Sequence, residues 1–389
     1  MTLDTVTITP FTIDIPQEAL DDLAARLGRA RFAETIPGSG WDLGTDREAL
    51  EELVAHWREG YDWRAWEARL NTLPQFVTEI DGQRIHFLHI RSQVETATPL
   101  MLVHGWPGSF IEFLDAIGPL TDPVAHGGAE ADAFHVVIPS LPGFTFSGPT
   151  RERGWNAARI ARAFAALMAR LGYDRYGVQG GDFGAFVAPE MARVAPDHVI
   201  GAHVNAATAG FIPWGEVSAE EKATFSEGER VRLERLAAWN AEGSAYFQIM
   251  ATKPQTLAFG LADSPLGQLS WMLEKFHDWT DNPDGTLAGR IDRDRVLTNV
   301  MLFWLTNTAA TSAQLYWESM HANEWPQGRP EPPVGVANFA QDVAIRRYGE
   351  QGYRIVHWSE FDRGGHFAAM EVPDLLVGDV RAFFASLRG

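Results

Sequence analysis

Short apolar runs alternate with longer amphipathic stretches, and this alternation constrains the fold of the chain more than any other feature. The runs lie at 99–103, 135–138, 176–178 and 200–204. Short runs rich in β-branched residues and bounded by turn residues are typical of strands buried on both faces. Between them, residues 157–171 have helical spacing, with Asn156 as the N-cap and Gly172 as the stop. The alternation predicts a parallel sheet covered by helices.

Two other regions have different patterns. Residues 1–75 have helical spacing, and the Thr-Asp-Arg-Glu sequence at 45–48 is a capping-box pattern that predicts a helix beginning after Thr45. Residues 76–81 and 84–90 flank Asp81-Gly82, which is a hairpin signal. Residues from about 207 to 325 are mostly helical in pattern. Strand patterns return at 333–337 and 354–358, before a last predicted helix at 373–387.

A helical insertion near the C-terminal part of a parallel sheet is the layout of an α/β-hydrolase fold with a cap. We therefore predict a mostly parallel sheet with four segments along the chain. These are an N-terminal helical extension packing on the core (1–75), the first part of the core (76–206), a helical cap (207–325) and the last part of the core (326–389). Ligands of open α/β sheets bind beyond the carboxyl ends of the strands, where such a cap would lie.

Composition excludes several classes of function. The chain has 32 Lys and Arg against 51 Asp and Glu, a formal charge of −19, which disfavours binding to nucleic acid or to anionic membrane surfaces. Without cysteine it has no disulfide, no thiol catalysis and no Cys-based metal site. No stretch approaches 18 apolar residues, and the first residues lack a secretory pattern, so we expect a soluble, cytoplasmic protein. The three lysines among 32 basic residues are interpreted as coding bias, without a function.

Residues 178–185, Val-Gln-Gly-Gly-Asp-Phe-Gly-Ala, carry the sharpest chemical motif. They follow a predicted strand, precede a helical pattern and fit Gly-x-nucleophile-x-Gly with Asp182 at the centre. Such a strand-to-helix turn is sharp and crowded, which requires small neighbours. The alternative is a tight turn whose aspartate caps a helix. Gly-x-Ser-x-Gly occurs nowhere in the sequence, so a serine esterase has no elbow to use.

A second motif, His-Gly-Trp-Pro-Gly at 104–108, directly follows the apolar run 99–103. In an α/β-hydrolase this loop directs one backbone N–H at the developing oxyanion, and the residue after the nucleophile supplies another. The oxyanion donors are therefore predicted to be Trp106 and Phe183. An ordinary strand-ending turn is the alternative.

The remaining catalytic positions follow from chain order, which is nucleophile, acid, histidine. His366 lies in a glycine-rich loop between the last predicted strand and the last helix, and the other eleven histidines are interpreted as structural. Asp342 follows the predicted strand 333–337 and is the chosen orienting acid. Glu360 and Asp362 are rivals that lie too near His366 in the chain.

An aspartate nucleophile narrows the reaction. A carboxylate with a pKa of about 3.9 is ionised at neutral pH and can attack a saturated carbon that bears a strained or good leaving group. The alkyl ester is then hydrolysed by water that His366 deprotonates. This chemistry fits epoxide opening or carbon–halogen cleavage. An epoxide needs O–H donors, and two of the seven tyrosines, Tyr246 and Tyr316, lie in the cap region. Halide sites commonly place Trp after the nucleophile, where this chain has Phe183.

These motifs together resemble those of the microsomal-type epoxide hydrolase family. The similarity spans nearly the whole chain and includes the N-terminal helical region. It rests on Tyr-Asp-Trp-Arg at 61–64, Leu-Asn at 70–71, Pro-Gln-Phe at 74–76, His-Gly-Trp-Pro-Gly-Ser at 104–109, Pro-Ser-Leu-Pro-Gly-Phe at 139–144, Gly-Gly-Asp-Phe-Gly at 180–184 and Arg-Gly-Gly-His-Phe-Ala-Ala at 363–369. In the cap, residues 245–254 and 315–318 match the segments that carry the family's two acid tyrosines, which implies that role for Tyr246 and Tyr316.

The resemblance implies a hydrolase without cofactor or metal that converts small apolar epoxides and water to vicinal diols through an ester on Asp182. Two departures matter: the family's acid is often Glu where this chain has Asp342, and the membrane anchor of mammalian members is missing. We therefore expect no membrane partner, and a homodimer is left open.

Two alternatives stay open at this point, a haloalkane dehalogenase with the same three residues and a non-catalytic binding protein on the same fold. The cap is also rich in aromatic residues, which predict an apolar pocket or, equally, ordinary core packing. They are Trp271, Phe276, Trp279, Phe303 and Trp304.

Overall fold

A computed structural model of the chain describes residues 7–213, 215–322 and 328–388. These residues form one sheet of nine strands: β1 (Thr9–Pro10), β2 (Gln75–Ile80), β3 (Gln83–Ile90), β4 (Thr98–Val103), β5 (Phe134–Pro139), β6 (Tyr176–Gly181), β7 (Val199–Asn205), β8 (Val334–Asn338) and β9 (Ile355–Glu360). The strand order is β1-β2-β3-β5-β4-β6-β7-β8-β9. Every predicted strand is present, and the short β1 was not predicted.

The sheet is antiparallel at one edge and parallel elsewhere. β1, β2, β3 and β5 pair antiparallel, whereas β5, β4, β6, β7, β8 and β9 pair parallel to their neighbours. The carboxyl ends of the six parallel strands therefore meet at one edge. The α/β-hydrolase prediction of a mostly parallel sheet is confirmed.

Sixteen α-helices lie within the described residues: α1 (Gln17–Leu27), α2 (Arg47–Glu59), α3 (Trp63–Leu70), α4 (Leu114–Thr121), α5 (Ala157–Arg170), α6 (Phe183–Val194), α7 (Ala219–Lys222), α8 (Glu227–Ala238), α9 (Ala245–Thr252), α10 (Pro254–Asp263), α11 (Pro265–Asp278), α12 (Arg293–Thr306), α13 (Ala309–Met320), α14 (Arg346–Gly352), α15 (Ala368–Glu371) and α16 (Pro373–Ser386). Helices α7–α13 lie within the segment 207–325 that the sequence pattern assigns to a cap. None of the described helices combines the length and the apolar character needed to span a membrane.

Helices cover both faces of the parallel strands. α4 packs on β5 and on α16, which also contacts β7 and β8, while α5 packs on α6 and α6 lies against β4, β6 and β7. α5 buries Ile160, Phe164 and Leu167, which recur on one helical face. Burial of each such side chain stabilises the fold by roughly 1.5–3 kcal/mol relative to exposure. The apolar periodicity of the sequence thus becomes the packing of this layer.

Two local predictions have different outcomes. The hairpin between β2 and β3 turns at Asp81 and Gly82, whose φ angles of 52° and 72° match the turn that Asp-Gly favours. The predicted Thr45 cap is wrong by one residue. Asp46 caps α2 by accepting the Ala49 N–H at 2.8 Å, while the Thr45 hydroxyl donates to the Ser270 carbonyl at 2.7 Å. Asp46, which lies one residue nearer the helix, is therefore the N-cap residue of α2. Thr45 instead contacts α11, in the region that the sequence assigns to the cap domain.

The N-terminal extension contacts the cap as well as the sheet edge. Tyr61 Oη lies 2.9 Å from Thr298 Oγ1 of α12, and His56 forms an ion pair with Asp294 at the start of the same helix. Trp57 donates its indole N–H to Met301 Sδ at 3.3 Å, and β1 pairs with β2. The extension therefore ties α12 to the edge of the sheet. The predicted boundary at 325/326 lies outside the described residues.

Candidate active site

Asp182 lies at the sharp turn between β6 and α6. Its φ of 54° and ψ of −118° are unusual for a residue with a side chain and indicate local backbone strain. The turn leaves no room for larger neighbours. A methyl group on Gly184 would lie 2.0 Å from the Val103 carbonyl oxygen, and one on Gly105 would lie 2.3 Å from Asp182 Oδ1. The Gly-x-Asp-x-Gly turn thus places the Asp182 side chain at the edge of the sheet where the parallel strands end.

Backbone donors hold the Asp182 carboxylate. Trp106 N–H donates to Oδ1 at 2.9 Å, and the Phe183 N–H also hydrogen bonds to the carboxylate. Burial raises the pKa of Asp182 to about 6, against the lowering effect of the two N–H groups. The prediction of an ordinary pKa is therefore wrong, because the sequence does not report desolvation. The carboxylate is still mostly ionised at neutral pH.

His366 faces the other oxygen of this carboxylate. It lies between β9 and α15, and its Nε2 is 3.7 Å from Asp182 Oδ2. Its side chain is 20% accessible and that of Asp182 is 21%, although both lie deep in the protein, so a small internal space adjoins them. Burial lowers the pKa of His366 to about 4, which keeps the imidazole neutral and able to accept a proton at pH 7.

Asp342 lies beyond the end of β8, beside the end of β7. Its Oδ2 accepts the N–H of Phe339 at 3.0 Å and of Ala206 at 3.3 Å. Burial raises the pKa of Asp342 to about 7, against the effect of these donors. Among the described residues, no hydrogen bond and no ion pair within 4 Å joins Asp342 to His366. The structure thus brings the predicted acid to the correct strand end without a direct contact to the imidazole.

The rival acids lie elsewhere. Glu360 is 53% exposed, forms an ion pair with Arg232 at 2.9 Å and accepts the Trp358 indole N–H at 3.0 Å. Asp362 is exposed. Neither carboxylate has a recorded contact with His366, so both belong to the surface near β9.

The two predicted tyrosines face the nucleophile from the cap. Tyr246 on α9 and Tyr316 on α13 are buried, with ring centroids 6.0 Å apart and nearly perpendicular planes. Burial first, and the nearby Asp182 carboxylate in addition, raises the pKa of each phenol, so both are proton donors at neutral pH. The Tyr316 hydroxyl is buried without a hydrogen-bond partner among the described residues. It interacts with the neighbouring Tyr246 hydroxyl and can donate to an incoming ligand.

Aromatic rings hold these phenols in place. The Trp106 ring stacks on Tyr246 with centroids 5.5 Å apart, and Phe183 meets Tyr316 edge to face at 4.8 Å. Trp279 lies 5.2 Å from Tyr246 and 4.8 Å from the His366 ring. The residues that supply the backbone donors thus also supply apolar walls.

Only one of the five predicted cap aromatics reaches the catalytic groups. Trp279 contacts His366, whereas Phe276 stacks on Phe367 and Phe303 packs on Phe144 in the core. Trp304 lies under the Arg26 guanidinium. Trp271 is packed in the cap and its indole N–H has no partner among the described residues. Of the five aromatic residues, therefore, Trp279 lies beside the predicted catalytic groups and the other four pack elsewhere.

The segment after α11 is bonded to the histidine loop. His366 N–H donates to the Trp279 carbonyl at 2.9 Å, and Gly364 N–H donates to Asp281 Oδ2 at 2.9 Å. Asp281 N–H in turn donates to Glu371 Oε2 at 2.7 Å. Hydrogen bonds between the Trp279–Asp281 segment and the histidine loop thus help to fix the position of the imidazole.

The sequence patterns do not indicate two ionisable residues that lie near the site with little or no exposure to solvent. Glu112 follows the His-Gly-Trp-Pro-Gly motif, and its pKa is raised well above its usual range by burial and by Asp182, against Arg295. Lys275 on α11 is 2% exposed and its Nζ lies 4.6 Å from the Tyr246 ring centroid. Within the described residues, no three His, Asp or Glu side chains are arranged to hold a metal ion.

Comparison with known proteins gives consistent matches over the whole chain. The family model "Epoxide hydrolase N terminus" matches residues 8–113, and "alpha/beta hydrolase fold" matches residues 98–344. A protein of Stigmatella aurantiaca (strain DW4/3-1), whose name assigns it provisionally to the epoxide hydrolases, is 46% identical over 386 residues, covering 98% of this chain and 86% of the relative. Epoxide hydrolase 1 of Sus scrofa is 35% identical over 413 residues, covering 98% and 89%.

The solved structures agree with these matches. The crystal structure of juvenile hormone epoxide hydrolase from the silkworm Bombyx mori superposes with a TM-score of 0.88 at 33% identity. The superposition covers 98% of this chain and 95% of that one.

Proposed function

From the premise that this chain belongs to the epoxide hydrolase family, we propose that Asp182 opens the epoxide and that water then releases a vicinal diol from the resulting ester. The family assigns the activity, which is hydrolysis of an epoxide. The residues and the order of the steps are the proposal. It rests above all on one arrangement: the Asp182 carboxylate lies between two backbone N–H donors and His366, and faces the unpartnered hydroxyl of Tyr316.

In the first step, Asp182 Oδ2 attacks a ring carbon and the carbon–oxygen bond of the epoxide breaks. The electron pair passes to the epoxide oxygen, which receives hydrogen bonds from Tyr246 and Tyr316 and a proton from one of them. Proton donation to a developing alkoxide lowers the barrier because that charge is absent from the ground state. The product of this step is a hydroxyalkyl ester on Asp182.

In the second step, water attacks Cγ of the ester while His366 takes one of its protons. The oxyanion that forms on Oδ1 lies against the N–H groups of Trp106 and Phe183, which already contact the carboxylate in the resting enzyme. Collapse of the intermediate breaks the bond between Cγ and the alcohol oxygen, which takes the proton from His366. The second proton of the water returns to the tyrosine, and Asp182 is again a carboxylate.

The substrate that we infer is a small apolar epoxide. The walls around the catalytic groups are aromatic, since Trp106, Trp279 and Phe183 contact the two tyrosines or His366. A cytoplasmic location stays a prediction from the sequence, and whether the protein forms a homodimer stays open. Diol formation from a panel of aryl and alkyl epoxides measures which of them fit.

The covalent intermediate is the test of the proposal. In His366→Ala, ring opening needs no base but ester hydrolysis does, so an ester should accumulate. Intact-mass spectrometry should show a gain equal to one whole epoxide molecule, because ring opening loses no atom. The adduct should lie on the peptide that contains Asp182. A folded variant that gains no mass from an epoxide hydrolysed by the wild type would mean that water attacks the ring directly.

A further inference from the structure

Lys275 is a buried cation beside Tyr246, one of the two tyrosines of the proposed mechanism. It lies on α11, is 2% exposed, and forms an ion pair with the adjacent Glu274 at 2.7 Å. Its Nζ is 4.6 Å from the ring centroid of Tyr246 and 5.8 Å from that of Trp279. Composition alone indicates no function for the three lysines, and the proposed mechanism does not use Lys275.

The surroundings of Lys275 are costly for an ammonium group. Moving a charge out of water is unfavourable unless it is paired, and Glu274 is its single hydrogen-bond partner within the described residues. Glu274 keeps 27% of its side chain exposed, so the pair reaches solvent on the carboxylate side only. The ammonium therefore lies against aromatic rings, where it is attracted by their negative faces. A methionine would fill the same volume without this cost.

We propose that Lys275 is a positioning residue that makes Tyr246 a stronger proton donor as the epoxide opens. The inference deepens the proposed function and rests on it. Lys275 exchanges no proton in this step: the proton moves from Tyr246 Oη to the epoxide oxygen, and the ammonium stabilises the negative charge that is left on the phenol.

The electrostatics of Tyr246 explain why such a cation is needed. Burial, the Asp182 carboxylate and Glu274 raise the pKa of Tyr246 and make it a poorer acid, whereas the Tyr316 hydroxyl lowers that pKa. A positive charge facing the ring opposes them. Because the phenol is neutral before the reaction, the cation acts mainly on the transition state and should change kcat more than KM.

Lys275→Met is the direct test, with Lys275→Arg as the conservative control. In single-turnover experiments with styrene oxide, quenched samples analysed by intact mass give the rates of ester formation and of ester loss separately. Lys275→Met should form the ester about tenfold more slowly, as if Tyr246 had become a weaker acid by about one pKa unit. The rate of ester hydrolysis should be unchanged, and Lys275→Arg should restore most of ester formation.

The same measurement in a Tyr246→Phe background separates electrostatics from packing. Without the phenol there is no charge for Lys275 to stabilise, so adding Lys275→Met should slow ester formation no further. An equal loss in both backgrounds would overturn the inference and assign Lys275 a packing role. So would normal ester formation in Lys275→Met when Tyr246→Phe is slow. If the wild type forms no ester at all, the proposed function fails instead.

Glu274→Gln should change the rate of ester formation in the opposite direction. This test does not depend on whether Lys275→Met folds. Removal of a negative charge that raises the pKa of Tyr246 should speed ester formation, by roughly two- to threefold. A folded Glu274→Gln enzyme with slower ester formation would contradict the electrostatic role of the pair. Thermal unfolding of each variant establishes that it is folded at the assay temperature.

Discussion

The core and cap halves of the active site hold their reactive groups by different means. On the core side, backbone N–H groups and a strained turn fix a charged carboxylate, and Trp106 N–H is already engaged with Asp182. On the cap side, aromatic packing fixes two neutral phenols, and the Tyr316 hydroxyl has no partner in the described part of the chain. The core donors thus stabilise a charge that is present in the resting enzyme, whereas the cap donors stabilise one that appears during ring opening. The core half should therefore control the rates of both steps, and the cap half mainly the rate of the first.

Asp182→Ala should have the largest effect, because both steps pass through this carboxylate. We expect diol formation to fall by at least about 10⁴-fold. The protein should remain folded, since removal of a buried charge relieves a desolvation cost. Turnover of an epoxide and thermal unfolding measure the two effects, with the exposed Asp362→Ala as the matched control. Retention of more than a few per cent of activity would place the nucleophile elsewhere and remove the core half of the comparison.

Asp342→Asn should slow only the second step, which is hydrolysis of the ester on Asp182. The variant loses a negative charge that stabilises the imidazolium formed when His366 takes a proton, so ester hydrolysis should fall by about 10²-fold. Ester formation should be close to normal, because attack needs no base. Rapid mixing followed by intact-mass analysis gives both rates. An unchanged rate of ester loss would show that another group orients His366.

Tyr316→Phe should show the complementary pattern. Ester formation should slow by about 10- to 100-fold, less than the loss of a sole oxyanion donor, because Tyr246 remains. Ester hydrolysis and stability should change little, since among the described residues the deleted hydroxyl has no hydrogen bond of regular geometry. If hydrolysis of a preformed ester slows as much as its formation, the division of labour between the halves is wrong.

The pH dependence should separate the two carboxylates of the core. Burial raises the pKa of Asp182 to about 6, so ester formation should fall about tenfold per pH unit below pH 6. Burial raises the pKa of Asp342 to about 7, so as the pH is lowered the rate of ester hydrolysis should begin to fall near pH 7, before the rate of ester formation does. His366 stays neutral in this window because burial lowers its pKa to about 4. Single-turnover rates between pH 5 and 8 measure the pH dependence of ester formation and of ester hydrolysis. If both rates fall at the same pH, Asp182 and Asp342 do not control the two steps separately.

The loss of activity in acid should not come from unfolding through the two carboxylates, Asp182 and Asp342, because burial raises the pKa of both. The folded pKa of Asp182 lies above its ordinary value, so the folded state binds more protons than the unfolded one between about pH 4 and 6. This group therefore adds stability as the pH falls through that range. Thermal unfolding at pH 5 and pH 7 checks the sign, after correction with Asp182→Ala.

The contrast between the halves also explains what the sequence could predict. The core half depends on backbone geometry, and backbone geometry of this kind requires particular residues at fixed spacing. Asp182 between glycines, and His366 in its glycine-rich loop, are therefore readable as motifs. The cap half depends on side chains that meet from separate helices. Tyr246 and Tyr316 were assigned as acids only through resemblance to a family, because no local pattern marks them.

Burial of charge was the part of the site that the sequence could not supply. No local pattern marks Lys275 in the sequence of α11, and only the structure, which places its ammonium beside the rings of Tyr246 and Trp279, reveals this contact. The shifted pKa of Asp182 has the same origin, since desolvation depends on every neighbour at once. The missing contact between Asp342 and His366 also needed coordinates, because chain order predicts a strand end and not a distance.

The hydrogen bonds between the Trp279–Asp281 segment and the histidine loop limit how this enzyme could be recombined with its relatives. A cap transplanted from another member to change substrate preference would also replace the carbonyl that receives the His366 N–H and the carboxylate that receives the Gly364 N–H. Such a chimera could gain the donor's pocket and lose the alignment of its own base. The natural crossover points therefore lie before Trp279, with Asp281 and its partner Glu371 inherited together.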